Sequence, residues 1–403
     1  MGPAAARIGG SRRPIRPIRV PIDRKTSRID PNRSGTYRPP WTGGPVRPAA
    51  GAGDGPHAAR EARVRRAIGW AAGPVLAVLF LWLAFRGVTL AELGAALRRA
   101  DVPLLVFAAA TVVVHLLVRS LRWRTLLAET GQRVPFRELL SAVSIGYMAS
   151  LLPGRVGEVL RPALLARRAA VPLGTALSTV AVERVVLDLM AVMFAGAIGF
   201  LAPARLSGIA ASADPDQIAL YRGIGLAILA GTLVALAAIH LVARRPEPLA
   251  TRLAAWRISA AGRWRARVIG FVESLLPGID GFRHPAGALR LLAETAAVWF
   301  VIAVGVHAGI VACGVRLAPL SAAVMLPILA FGVAFPTPGG TGTYHAAMRW
   351  GLTFFFAADD TDAVAAGLVV HAVTWLPLLA MGALFVALGG LVRPDADPAR
   401  ESA

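Results

Sequence analysis

The segment Leu151-Leu152-Pro153-Gly154-Arg155-Val156-Gly157-Glu158-Val159-Leu160-Arg161 sets two helix breakers and three charges in the middle of strongly apolar sequence. Pro removes a backbone donor and Gly is a poor helix former, so an incoming helix stops there. Arg155, Glu158 and Arg161 follow at i, i+3 and i+6, so a helix starting after Pro153-Gly154 stacks all three along one broad face. Its first turn leaves backbone N–H groups unpaired, and such groups attract anions. The chain repeats the device in Phe335-Pro336-Thr337-Pro338-Gly339-Gly340-Thr341-Gly342-Thr343-Tyr344-His345. Pro153-Gly154-x-x-Gly157 and Pro338-Gly339-x-x-Gly342 share one spacing. Leu140-Ser141-Ala142 precedes the first and Leu320-Ser321-Ala322 the second. Broken apolar hairpins in corresponding halves point to a transporter's binding site. The other reading makes both Pro-Gly corners simple turns between complete spans.

Composition sets the class. Of 403 residues, 56% are hydrophobic and 16% charged, against about 25% charged in a soluble domain. Several apolar runs are long enough to cross a bilayer. The chain therefore reads as all-α, a polytopic helical membrane protein, and the alternation of an outer-membrane barrel is missing. A formal charge of +20 suggests nucleic acid in a soluble protein. Here the arginines crowd between and outside the apolar runs, the pattern of cytoplasmic segments, so the expected partners are membrane lipids and not nucleic acid. Cys313 is the sole cysteine, which rules out an intramolecular disulfide and a thiolate metal cluster.

Residues 1–64 are rich in Arg, Pro and Gly and read as a disordered basic cytoplasmic tail without a signal peptide. Residues 65–392 form the transmembrane domain. Spans are expected near 68–85, 102–118, 172–201, 218–242, 288–313 and 364–388, with hairpins at 139–161 and 320–352. Six spans and two re-entrant hairpins entering from opposite faces make an inverted repeat; the count rises to eight if each hairpin crosses. Arg119, Arg122, Trp123 and Arg124 fall just beyond the second span, on the cytoplasmic side. Trp123, Trp256, Trp264 and Trp350 read as interfacial anchors. Residues 246–286 read as an amphipathic cytoplasmic segment and 393–403 as a short cytoplasmic tail. The expected location is the bacterial cytoplasmic membrane, with both termini inside.

Glu183, Arg184 and Asp188 lie inside the third span, where each charge costs about 2.5–3.5 kcal/mol on insertion scales. Arg184 and Asp188 are i, i+4 and pair on one face. Glu183 is turned by about 100° from Arg184 and needs a partner from the hairpin, Arg155 or Arg161. Such a network fixes hairpin to helix, lines a polar cavity for a charged headgroup, or does both, and the planar fork of Arg suits phosphate. His345 is a hydrogen-bonder or a titrating group. No G-x-x-x-x-G-K-[ST], H-E-x-x-H or G-x-S-x-G occurs, and Gly339-Gly340-Thr341-Gly342 follows no strand. No catalytic residue, cofactor or metal is therefore expected.

Arg122-Trp123, Pro153-Gly154-Arg155-x-Gly157-Glu158-x-x-Arg161, Glu183-Arg184 with Asp188, and Pro336-x-Pro338-Gly339-Gly340-x-Gly342 together resemble the lysylphosphatidylglycerol synthase transmembrane family, also called the flippase-like domain family. The family often carries Glu where this chain has His345. The resemblance implies a polytopic inner-membrane protein that handles phospholipids or polyprenyl-linked lipids. Its best-known members carry a soluble aminoacyl-transferase domain. Only a short tail follows the last span here, so the expectation is a stand-alone translocator. Its headgroup site would comprise Arg155, Glu158, Arg161, Glu183, Arg184, Asp188, Gly339, Gly340 and His345, between breaks at Pro153, Gly154, Pro336 and Pro338. The sequence names no energy source; Glu158, Glu183 and His345 are the groups a proton-coupled cycle would use. The alternatives are a membrane transferase with Glu158 or Glu183 as base, and a scaffold of cell-envelope assembly.

Overall fold

Pro or an acidic cap opens most of the long helices, as the sequence dictates. In the computed structural model, which describes residues 73–152, 156–202, 214–245, 269–270, 272, 275–319, 321–335 and 337–390, eleven helices follow one another and no strand occurs among the described residues. They are α1 (Gly73–Phe85), α2 (Leu90–Arg98), α3 (Val102–Glu129), α4 (Phe136–Ala149), α5 (Val156–Arg168), α6 (Leu173–Leu201) and α7 (Pro215–Arg244), then α8 (Pro285–Ala312), α9 (Ser321–Ala334), α10 (Thr343–Phe356) and α11 (Asp360–Phe385). Asp101 accepts from the Leu104 N–H at 3.0 Å and Asp214 from the Gln217 N–H at 2.8 Å, each ahead of a Pro in the first turn. Thr89 and Glu92 close a capping box on α2.

Five helices, α3, α6, α7, α8 and α11, are long and apolar enough to cross a membrane. α1 and α2, bent by 80° at their junction, give a sixth span if counted as one. The chain is thus a multi-pass helical membrane protein. The end of α1 is held from outside: Arg349 Nη1 donates to the carbonyls of Leu83, Ala84 and Arg86 at 3.3, 3.0 and 2.7 Å, and its Nε to Asp360 at 2.9 Å.

α4 with α5, and α9 with α10, form two hairpins whose arms are 13 or 14 residues long. At about 1.5 Å per residue such an arm spans about 21 Å, short of an apolar core of about 30 Å. Glycine lets the first pair of backbones touch: a Cβ on Gly157 would lie 1.9 Å from the Gly146 carbonyl oxygen. In the second break Gly339 and Gly342 take left-handed φ values of 58° and 83°. A Cβ on Gly339 would meet Leu151 at 2.8 Å, so the two hairpin tips abut; one on Gly342 would lie 2.3 Å from the Ala77 carbonyl oxygen of α1.

α8 runs along α3, the second half of α6 lies on α7 and α9, and α4 lies on α11. One buried core gathers around Trp123, Leu126, Leu139, Leu165 and Leu187, and a second around Ile310, Met325, Met348 and Leu352.

Three sequence expectations change. The second span does not end at 118: α3 continues to Glu129, and Arg119, Arg122 and Trp123 are buried inside the protein. Hydropathy reads a cluster of arginines as an exit from the membrane, but carboxylates of another helix neutralise these two. Trp123 is therefore no interfacial anchor, whereas Trp350 is 54% exposed and stacks on Phe354. Trp256 and Trp264 lie outside the described residues. At the end of the segment 246–286, Leu276–Phe282 is a 3-10 turn with Ile279 and Phe282 buried.

The contact at Gly157 gives a direct check. Gly157→Ala should lower stability by about 1–3 kcal/mol through overpacking, read as a lower unfolding midpoint of the detergent-purified protein. Gly174→Ala, which meets nothing within 4 Å, should leave that midpoint in place.

Candidate functional site

In α6 the helix widens into a π turn over Glu183–Asp188. Regular α-helix would separate these two acids by about 140° around the axis. The i→i+5 pattern of a π turn swings them toward a common side, and such turns recur at functional sites. Opposite stand Arg119 and Arg122, at i, i+3 on one face of α3. Arg119 Nη2 lies 2.6 Å from Glu183 Oε1 and 2.6 Å from Asp188 Oδ2. Arg122 Nη2 lies 3.2 Å from Glu183 Oε1 and 2.8 Å from Asp188 Oδ1. From α5, Arg161 grips both oxygens of Glu183, and its guanidinium sits 4.2 Å over the Trp123 ring. Trp123 is in turn fixed by its Nε1–H to Thr179 Oγ1 at 3.0 Å. Arg122 also donates to Thr295 of α8 at 3.2 Å, and Trp299 of the same helix to Asp188 at 3.3 Å.

The remaining pairs lead outward. Arg184 Nη1 lies 3.3 Å from Asp188 Oδ2, and its Nε lies 3.6 Å from Glu158 Oε1. Among the described residues four guanidiniums thus face three carboxylates and leave one net positive charge. Arg119, Arg122, Arg161 and Glu183 are each no more than 4% exposed. Only the Arg184 and Glu158 side chains reach the surface, at 36% and 34%. The buried Nε atoms of Arg119, Arg122 and Arg161 make no hydrogen bond, so the cluster holds donors beyond those its own acids use.

Five of the sequence-predicted site residues, Glu158, Arg161, Glu183, Arg184 and Asp188, come together here. Pro153, Gly154, Arg155 and Pro336 lie outside the described residues. Gly339, Gly340 and His345 belong to the second break, and among the described residues no hydrogen bond or ion pair joins them to the arginines. Instead the His345 ring lies 4.7 Å from the ring of His371, centroid to centroid. Arg119, Arg122, Thr295 and Trp299 were missed as site residues. The available signal was charge balance, since two acids inside α6 need more cations than Arg184 supplies. No group of three or more His, Cys, Asp or Glu arranged to hold a metal ion occurs among the described residues.

Comparison with known proteins identifies a family for the chain. The family model for the lysylphosphatidylglycerol synthase TM region matches residues 70–382. A curated relative, named glycosyltransferase AglD, from Haloferax volcanii, is 28% identical over 342 residues, covering 77% of this chain and 53% of that protein. The chain thus spans about half the length of that relative.

Removing one acid strands buried cations. Glu183→Gln or Asp188→Asn should cost about 3–5 kcal/mol, whereas Glu158→Gln, in a pair one third exposed, should cost less than about 1 kcal/mol. Thermal unfolding of the three variants side by side checks the ranking.

Proposed function

Because the chain belongs to the lysylphosphatidylglycerol synthase transmembrane family, we propose that it is a lipid translocase that takes a phosphate-bearing headgroup at Arg184. One observation carries this reading: the cluster's surplus positive charge has a single partly open outlet, beside a carboxylate that a phosphate would displace. The planar guanidinium offers a forked pair of donors to phosphate and stays charged at this depth. Arg161 and the N-terminal dipole of α5 add to the field there. Acyl chains would stay in hydrocarbon. An apolar cavity of about 600 Å³ between α6, α9 and α10, lined by Phe80, Phe200, Phe331 and Phe335 among others, suits chains and is unsuited to headgroups.

We read the helices as an inverted repeat with two re-entrant hairpins. Supporting this, α3 and α8 are both 28 residues long and lie along each other, and α4 and α9 are both 14. α4 leans on α11 as α9 leans on α6, and α5 meets α6 as α10 meets α11. Rocking one repeat against the other would change which face is open. We read its location as the bacterial cytoplasmic membrane with both termini inside, a reading the arginine distribution supports.

A second reading, a membrane transferase with Glu158 as base, draws on the Haloferax relative's name. It requires product formation by the purified chain with sugar donor and lipid acceptor. For the translocase, the test is movement of fluorescent phosphatidylglycerol across reconstituted vesicles. One charge-assisted contact is worth about 1.5–3 kcal/mol, so Arg184→Ala should slow transport by about tenfold or more, and Arg184→Lys by less. Unchanged rates in Arg184→Ala at equal incorporation would remove Arg184 from the mechanism.

A further inference from the structure

The second half of the chain sets two histidines where the first half holds its outermost ion pair. α5 and α10 begin at Val156 and Thr343, and α6 and α11 at Leu173 and Asp360, both 187 residues apart. The same offset carries Glu158 onto His345 and Arg184 onto His371. Both pairs touch: Glu158 with Arg184 at 3.6 Å, and the two imidazoles at 4.7 Å with their planes 36° apart. Unlike the ion pair, the histidines are buried, at 7% and 9% exposure.

Their nitrogens are unequally used. His345 Nδ1 accepts from the Gly342 N–H at 3.3 Å, so the neutral ring carries its proton on Nε2. The Nδ1 of His371 is buried and has no hydrogen-bond partner. A buried ring nitrogen without a partner calls for an explanation. Around the pair lie Tyr344, 5.0 Å from His371 between ring centroids, Trp375 at 6.1 Å, and Phe85 of α1, 6.3 Å from His345. The charged residues of α10 and α11, Arg349, Asp360 and Asp362, are engaged in ion pairs with one another and with Arg99. Among the described residues α3, α4, α8 and α9 bring no carboxylate or guanidinium against either ring.

We propose that His345 and His371 form a one-proton site that couples lipid movement to a proton gradient. The proposal rests on the translocase reading above. The proton adds to Nδ1 of His371 and makes an imidazolium. The second ring stays neutral, because two cations at this separation repel and His345 sits in the first turn of α10, at the positive end of its dipole. The new charge lies beside Trp375, which borders Gly339, the residue that abuts Leu151 at the other hairpin's tip. Protonation therefore acts where the two halves meet.

The test uses the full chain in vesicles, comparing transport of fluorescent phosphatidylglycerol with and without an imposed one-unit pH gradient. That gradient supplies up to about tenfold. The wild-type ratio should exceed about threefold, and His371→Gln should bring it to one. A wild-type ratio of one, or an undiminished ratio in His371→Gln, overturns the proposal and leaves the translocase reading standing. No transport under either condition instead sinks the translocase reading and the coupling with it. NMR titration of labelled histidines in nanodiscs then decides the proton site by itself. One proton taken up by the pair as a unit supports the site, and two independent titrations or none overturn it.

Discussion

The structure depends on the mutual neutralisation of seven charges where α3, α5 and α6 cross. The five buried ones, Arg119, Arg122, Arg161, Glu183 and Asp188, would each cost a few kcal/mol if left unpaired, so none of these five could be placed without the others. That interdependence positions the first hairpin: Arg161 holds α5 to α6, Arg119 and Arg122 hold α6 to α3, and Thr295 and Trp299 extend the hold to α8. An apolar replacement of the same shape would often be as stable or more so. A network that costs stability and still leaves one positive charge is more economically explained by what that charge does than by cohesion.

In the proposed repeat, the second half keeps the layout and discards the charge. α10 and α11 repeat the arms of α5 and α6, but where the first pair is ionic the second is two imidazoles, and Gly305 stands on α8 at the place matching Arg122 on α3, by the offset of 183 between Val102 and Pro285. The π turns differ accordingly. In α6 it aligns two acids at mid-helix, while α11 passes into one only after its last regular turn, at Val386–Gly390. A wide turn is retained at mid-helix where two acids must face the same way, and is absent where no acids need aligning.

How far the sequence revealed this follows from which interactions are local. The break at Pro338-Gly339 and the Arg184–Asp188 pair at i, i+4 depend on neighbours within a turn or two, and both were legible. Arg161 for Glu183 was legible too, because a buried acid next to a short hairpin narrows the choice of cation. Arg119 and Arg122 were not, since their partners lie more than sixty residues away and hydropathy assigns a basic cluster to the cytoplasm. Trp123 was misjudged with them. The π turn was also invisible, because periodicity assumes 100° per residue and places Glu183 and Asp188 on different faces. His371 carries no local signal, since only the fold brings His345 beside it.

The ion pairs are graded from inside to outside, and the grading bears on transport. The buried contacts of Arg119 and Arg122 run from 2.6 to 3.2 Å, whereas Arg184 meets Asp188 at 3.3 Å and Glu158 at 3.6 Å, at the one edge that solvent or a headgroup can reach. Conduction through a site needs binding strong enough to enter and weak enough to leave. A bare arginine at this depth would hold phosphate too tightly to release it. One fully paired inside the cluster could not bind it at all. A guanidinium shared with a one-third-exposed carboxylate lies between these limits: in the proposed cycle Glu158 would compete for Arg184 as the headgroup arrives and re-form the pair as it departs.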